Sequence, residues 1–142
     1  MKTLTFLGAL AGCALLAGGC GHLDTSAAGA ADRVLTGEVN YDGTAQLPDD
    51  AVVTVRIVDN SNPVAPMSML GETTITHPGP GPVPFRIEYR AEDEVLMHQV
   101  NVEARIAFGG KLRFFSLNGH PLTLGNCQDT HVVHVEPVGG RR

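Results

Sequence analysis

Cys127, His131 and His134 stand in the spacing Cys-x3-His-x2-His, a run that brings three metal-donor side chains close together in the chain. A zinc ion would need all of them to converge at about 2.0–2.3 Å. The histidines flank Val132 and Val133 and precede Val135, a pattern that reads as a strand. On a strand, positions 131 and 134 point to opposite faces and cannot close on one ion without a bulge. The spacing therefore argues against a metal centre, and no cofactor is expected. Cys127 reads as a buried small hydrophobe rather than a reactive thiol. His77, His98 and His120 sit beside turn residues, where solvated loop positions are expected.

Other catalytic constellations fare no better. Ser26, Ser61, Ser68 and Ser116 all lie outside any Gly-x-Ser-x-Gly elbow. Glu92, Asp93 and Glu94 are consecutive in a turn, whereas paired carboxylates in glycoside chemistry flank a substrate about 5–9 Å apart. Gly79 and Gly81 alternate with Pro78, Pro80 and Pro82, and proline lacks the N–H groups that cradle a phosphate. The expectation is a protein that is not an enzyme, with no catalytic residues. Basic side chains number 10 against 15 acidic, a net charge of −5, with no basic run. Nucleic acid is therefore not an expected partner.

The cysteine chemistry with a clear address lies at the start of the chain. Lys2 gives a positive start, Thr3 to Gly19 carry no charge, and Leu16-Ala17-Gly18-Gly19-Cys20 closes the segment. A charged start, a short apolar run and a small-residue cut site describe a secretory signal peptide. The ending resembles the lipobox of bacterial lipoproteins, which implies a diacylglyceryl thioether on Cys20, cleavage before it and acylation of the new amino group. Leu10-Ala11-Gly12-Cys13 is the alternative lipobox. It leaves an apolar run barely long enough for the roughly 7–15 residues required, so Cys20 is preferred over Cys13. Acyl chains contribute about 0.8 kcal/mol per buried CH₂, so two or more tether durably to a bilayer without a transmembrane helix. Gly21, where an inner-membrane lipoprotein would carry Asp, implies an outer-membrane anchor with the domain facing the periplasm. With Cys20 lipidated, Cys127 is the only thiol remaining and forms no intramolecular disulfide.

The elements that position these residues are strands. Residues 1–19 form the leader, 20–32 the lipidated cysteine and a flexible linker, 33–138 a domain, and 139–142 a short tail. Val53, Val55 and Ile57 alternate with Thr54, Arg56 and Val58; Val83, Phe85, Ile87 and Tyr89 alternate with Pro84, Arg86 and Glu88. Val100, Val102, Ala104, Ile106 and Phe108 repeat the pattern, as do Val133 with Val135 and Leu35, Val39 and Tyr41. A period of two puts one face on a core and the other in water. Asp42-Gly43, Gly109-Gly110 and Asn118-Gly119 are turn dipeptides, and Gly109-Gly110 closes a hairpin of residues 99–108 and 111–117. The count favours a compact antiparallel β-sandwich of about 7–8 strands with no convincing amphipathic helix. Pro84 requires an edge strand or a strand start. Residues 77–84 form a stiff connector or a pre-ordered surface.

Leu47-Pro-Asp-Asp-Ala-Val-Val-Thr-Val-Arg-Ile-Val-Asp-Asn-Ser61, Pro82-Val-Pro-Phe-Arg-Ile-Glu-Tyr89, Val102-Glu-Ala-Arg-Ile106 and Gly110-Lys-Leu-Arg-Phe114 follow in order. In that order and spacing they resemble the YbaY/YscW family of bacterial lipoproteins over roughly residues 34–136, closer to the YbaY type. The resemblance implies a compact β-sandwich on an outer-membrane anchor without known enzymatic activity. YscW-type members are pilotins, which bind the C-terminal end of a secretin and carry it to the outer membrane. The leading functional expectation is thus a non-enzymatic lipoprotein that binds another envelope protein, in pilotin-like form a secretin. The alternative is a structural or envelope-stress lipoprotein contacting cell wall or glycan through an exposed aromatic, with Phe114 or Phe115 the discriminating residue. Met67, Met69, Leu70 and Met97 either line an apolar groove for a partner or, by default, pack the core.

Overall fold

A computed structural model describes residues 30–41 and 46–139. Cys13, Cys20, the leader, the linker up to Gly29 and the Asp42-Gly43 turn lie outside the described residues. Eight strands form: β1 (Arg33–Tyr41), β2 (Val52–Asp59), β3 (Ser68–Thr76), β4 (Val83–Tyr89), β5 (Val100–Phe108), β6 (Lys111–Phe115), β7 (His120–Pro121) and β8 (Thr130–Pro137). A single helical turn, α1 (Asp93–Leu96), lies between β4 and β5.

Hydrogen bonding orders the strands β3-β2-β5-β6-β8-β1-β4, with β7 beside β5. The ladders are antiparallel except β1–β8, which is parallel. β6 and β8 meet at only two pairs, Phe114↔Pro137 and Phe115↔Glu136. That narrow joint links two layers, β4-β1-β8 and β3-β2-β5-β6/β7, into a sandwich. The two end strands then return to each other: a Cβ at Gly71 of β3 would stand 2.8 Å from Ile87 Cγ2 and 3.0 Å from Tyr89 Cβ of β4. The sheet is thereby nearly closed into a barrel, although no ladder joins β3 to β4 among the described residues.

The period of two places the core. Leu35, Val39, Val53, Val55, Ile57, Val83, Ile87, Val102, Ile106 and Val133 are all buried in one contiguous cluster. Val58, expected outward, is buried as well, and opposite it the β2–β3 register shifts from Ile57↔Gly71 to Val58↔Met69, a bulge that inserts Leu70 into β3. Pro84 lies on β4, an edge strand whose one ladder partner among the described residues is β1, as its missing N–H requires. Gly109 and Gly110 both adopt positive φ, 59° and 69°, the mirror-image turn that suits a two-residue hairpin. Among the described residues helical structure is confined to α1, where Leu96 plugs the core.

Tyr89 shows what this packing tolerates. The side chain is 1% exposed, and its hydroxyl is buried without a hydrogen-bond partner. Burial pushes the phenol up, reinforced by Cys127. An unsatisfied buried hydroxyl costs about 1–3 kcal/mol. Tyr89→Phe is therefore expected to leave the thermal midpoint unchanged or raise it by a few degrees; a clear fall would mean that the hydroxyl is satisfied in solution.

Candidate functional site

The methionines are outside. Met67 and Met69 are each 58% exposed, Met97 is 67% exposed, and Val64 at the tip of the preceding loop is 93% exposed. Only Leu70 packs against the core. The default expectation of core packing is therefore corrected for Met67, Met69 and Met97. Their position follows from local chemistry. The 60–67 loop is folded by side-chain turns: Asp59 Oδ1 accepts from Ser61 N at 2.8 Å, and Asn62 Oδ1 accepts from Val64 N at 3.1 Å. The Ser61 hydrogen bonds hold the Asp59 carboxyl below the usual carboxylate range. Leu96 anchors α1 inward, which leaves Met97 at the C-cap outside.

Register places these residues at one end of the sandwich. Ser68 is paired with Asp59, Asp59 with Val100, and Asn60 N donates to Gln99 O at 2.8 Å. Met67 precedes Ser68, and Met97 lies just before Gln99. Acidic groups accompany them: Asp59 beside the loop, and Glu92, Asp93 and Glu94 leading into Met97. The arrangement offers flexible, polarizable apolar contacts within an acidic setting, and methionine accommodates partners of varied shape. Phe114 and Phe115, the test for a glycan platform, are both half-buried, and the Phe114 ring lies 5.9 Å from that of Tyr41.

Two polar clusters escaped the sequence. Arg33, on the inward side of β1, donates from Nε to Ala91 O at 2.7 Å, pairs with Asp93, and reaches Cys127 Sγ at 3.6 Å. It ties β1 to the segment before α1 and to the 122–129 loop, beside a cleft of about 270 Å³. Cys127 is 6% exposed and unpaired among the described residues, in accord with its reading as a small buried residue. The carboxylates Glu92, Asp93 and Glu94 are exposed as expected, but the Asp93 pair with Arg33 lies far apart in sequence and had no local signal.

The second cluster is built on His131. It is buried at 3% exposure on the Val133 and Val135 face, and His134 is exposed on the other, as the strand period requires. His120 is not a solvated loop residue: its Nε2 lies 2.9 Å from His131 Nδ1, and His131 Nε2 lies 2.9 Å from Asn126 O. The signal available in sequence was the inward register of His131, because a buried imidazole needs partners. Nothing in the sequence named His120. Burial, with His131 and His134 nearby, holds the His120 imidazole below the ordinary histidine range. The unfolded chain takes up that proton near pH 6.5 and the folded chain only at lower pH. The resulting contribution to stability is full above that value and is lost as pH falls through it.

The fold and its bare apolar end define a small β-sandwich domain whose most exposed large side chains gather at one end. A family model described as the type III secretion system lipoprotein chaperone YscW matches residues 30–135. The chain belongs to the YscW family. Among solved structures it is similar to an alternative pilotin from the type II secretion system of Vibrio cholerae, at 29% identity and a TM-score of 0.67, covering 76% of this chain and 98% of that one. No curated protein matches the chain.

Proposed function

We propose that this protein is a non-enzymatic lipoprotein of the outer membrane whose periplasm-facing domain binds a secretin and assists its delivery, as a pilotin does. Family membership and the likeness to a secretion-system pilotin support a secretin-assisting role. The observation that carries the reading is the exposure of Met67, Met69 and Met97 at one end of the sandwich. Side chains of that size, left bare together, mark an interaction surface.

Anchoring is assigned to acyl chains on Cys20, with Cys13 as the alternative. A single chain binds a bilayer only marginally and two or more hold it. Replacing Cys20 by Ser is expected to abolish incorporation of radiolabelled palmitate and to move the protein from the membrane to the soluble fraction. Retention of label in Cys20→Ser, with loss in Cys13→Ser, would move the anchor to Cys13. Absence of label from the unsubstituted protein would remove the lipoprotein assignment. Partner binding is tested separately, with the secretin encoded in the same genome as the probe.

A further inference from the structure

We infer that His120, His131 and the main-chain carbonyl of Asn126 form an acid-sensitive latch that holds the 122–129 loop against β8 at neutral pH. The proton positions follow from the acceptor at one end. The Asn126 carbonyl can only accept, so the hydrogen at 2.9 Å must sit on His131 Nε2. In the neutral ring, His131 Nδ1 is then an acceptor, and His120 Nε2–H donates to it at 2.9 Å. The relay runs in one direction, from His120 through His131 to the loop.

The loop is built around Asn126. Its side chain accepts from Thr123 N at 2.7 Å and donates to Pro121 O at 3.1 Å, and its carbonyl takes the His131 hydrogen. Leu122 N donates to Val100 O at 2.9 Å. Leu122 is fully buried in the core, Asp129 N also donates to the Asn126 carbonyl at 3.0 Å, and Cys127 is held by Arg33. β7 is only two residues long, so His120 is weakly fixed by its own strand, and its place depends on His131.

Acid acts on the two rings differently. A first proton can go to His120 Nδ1, which takes no part in the relay, and the chain of hydrogen bonds survives. A proton on His131 Nδ1 sets two N–H groups against each other at 2.9 Å and buries a cation at 3% exposure. That state is relieved only if His120 turns away. The gap between β7 and β8, about 210 Å³, lined by Leu117, Asn118, Gly119, His120, His134 and Glu136, is where it can go. The titratable groups beside His120 in that gap are His134 and Glu136 of β8, both on the opposite face of the strand from His131. On the other sides β1 presents Gly37 opposite His131, and β5 presents Val102 opposite His120, neither of them charged. No partner is needed for the latch to work, so it stands independently of the secretin reading.

Cys127 reports opening, because it sits buried in the loop that the latch holds. The protein in detergent is labelled with 4,4′-dithiodipyridine, which reacts in acid, and the label on Cys127 is located by peptide mass spectrometry. Its rate is divided by that of the urea-denatured chain at the same pH. The expected ratio is low and flat at neutral pH, then rises with acid by about tenfold per pH unit, the slope of a one-proton event. Imidazole ¹⁵N spectra should show His131 as the neutral Nε2–H tautomer at neutral pH. His120→Ala, which removes the donor to Nδ1, should move the onset of labelling to higher pH. A labelling ratio flat down to pH 4.5, an Nδ1–H tautomer at His131, or a labelling profile indifferent to His120→Ala would each overturn the latch.

Discussion

Gly37→Val is expected to destabilise the domain by about 3–5 kcal/mol and lower its thermal midpoint by roughly 12–20 °C. Gly37 lies in β1 between β4 on one side, where it faces Phe85, and β8 on the other, where it faces His131. A Cβ there would stand 2.2 Å from the His131 carbonyl oxygen and 2.7 and 2.9 Å from two Phe85 ring carbons. The ring could turn in a looser core, but it is buried. The carbonyl belongs to the backbone of β8 and cannot retreat without opening the parallel ladder. That ladder is the only link between β8 and β1, so the strain falls on the layer that carries β1, β4 and β8 together. Because natural domains are stable by only about 5–15 kcal/mol, much of the chain should be unfolded at 37 °C. The check is a thermal melt followed by far-ultraviolet circular dichroism. A fall of less than about 3 °C would mean that β1 and β8 are not packed as described.

The second large effect is on binding and leaves the fold alone. Replacing Met67, Met69 and Met97 together by Glu should weaken secretin binding about 100-fold or more, since burying each such side chain is worth about 1.5–3 kcal/mol. All three are more than half exposed, and exposed positions of this kind usually change stability by no more than about 0.5 kcal/mol each. Parallel binding isotherms and melts separate the two effects. Unchanged affinity with an unchanged melt would remove the methionine end from the interface.

Much of the fold is legible in the sequence because a strand period of two is a local signal. The alternating apolar positions of β2, β4 and β5 all reach the core, and the Gly109-Gly110 hairpin forms where its two glycines permit positive φ. What escapes is non-local or breaks the period. Val58 is buried against the alternation of its strand, and the bulge opposite it inserts Leu70 into β3 with nothing local to announce it. The parallel β1–β8 ladder joins the two ends of the domain, and pairing at such separation leaves no mark on either strand. The candidate site divides the same way. The methionines stand out by type, but whether they face the core or solvent depends on how α1 and the 60–67 loop fold back at the end of β2 and β5. Arg33 with Asp93, and His120 with His131, are partners chosen by the closure of the sandwich. Neither residue's own neighbours in sequence point to it.

On the proposed function, the methionine end of the domain receives a secretin. The most direct test titrates the full-length protein in detergent with the C-terminal segment of the secretin encoded in its own genome while amide hydrogen exchange is followed. Saturable binding is expected, with new protection concentrated in residues 60–70 and 96–99 and lost in the Met67, Met69 and Met97 triple variant. Absence of binding, or protection confined to the β4-β1-β8 layer with the triple variant unaffected, would contradict it.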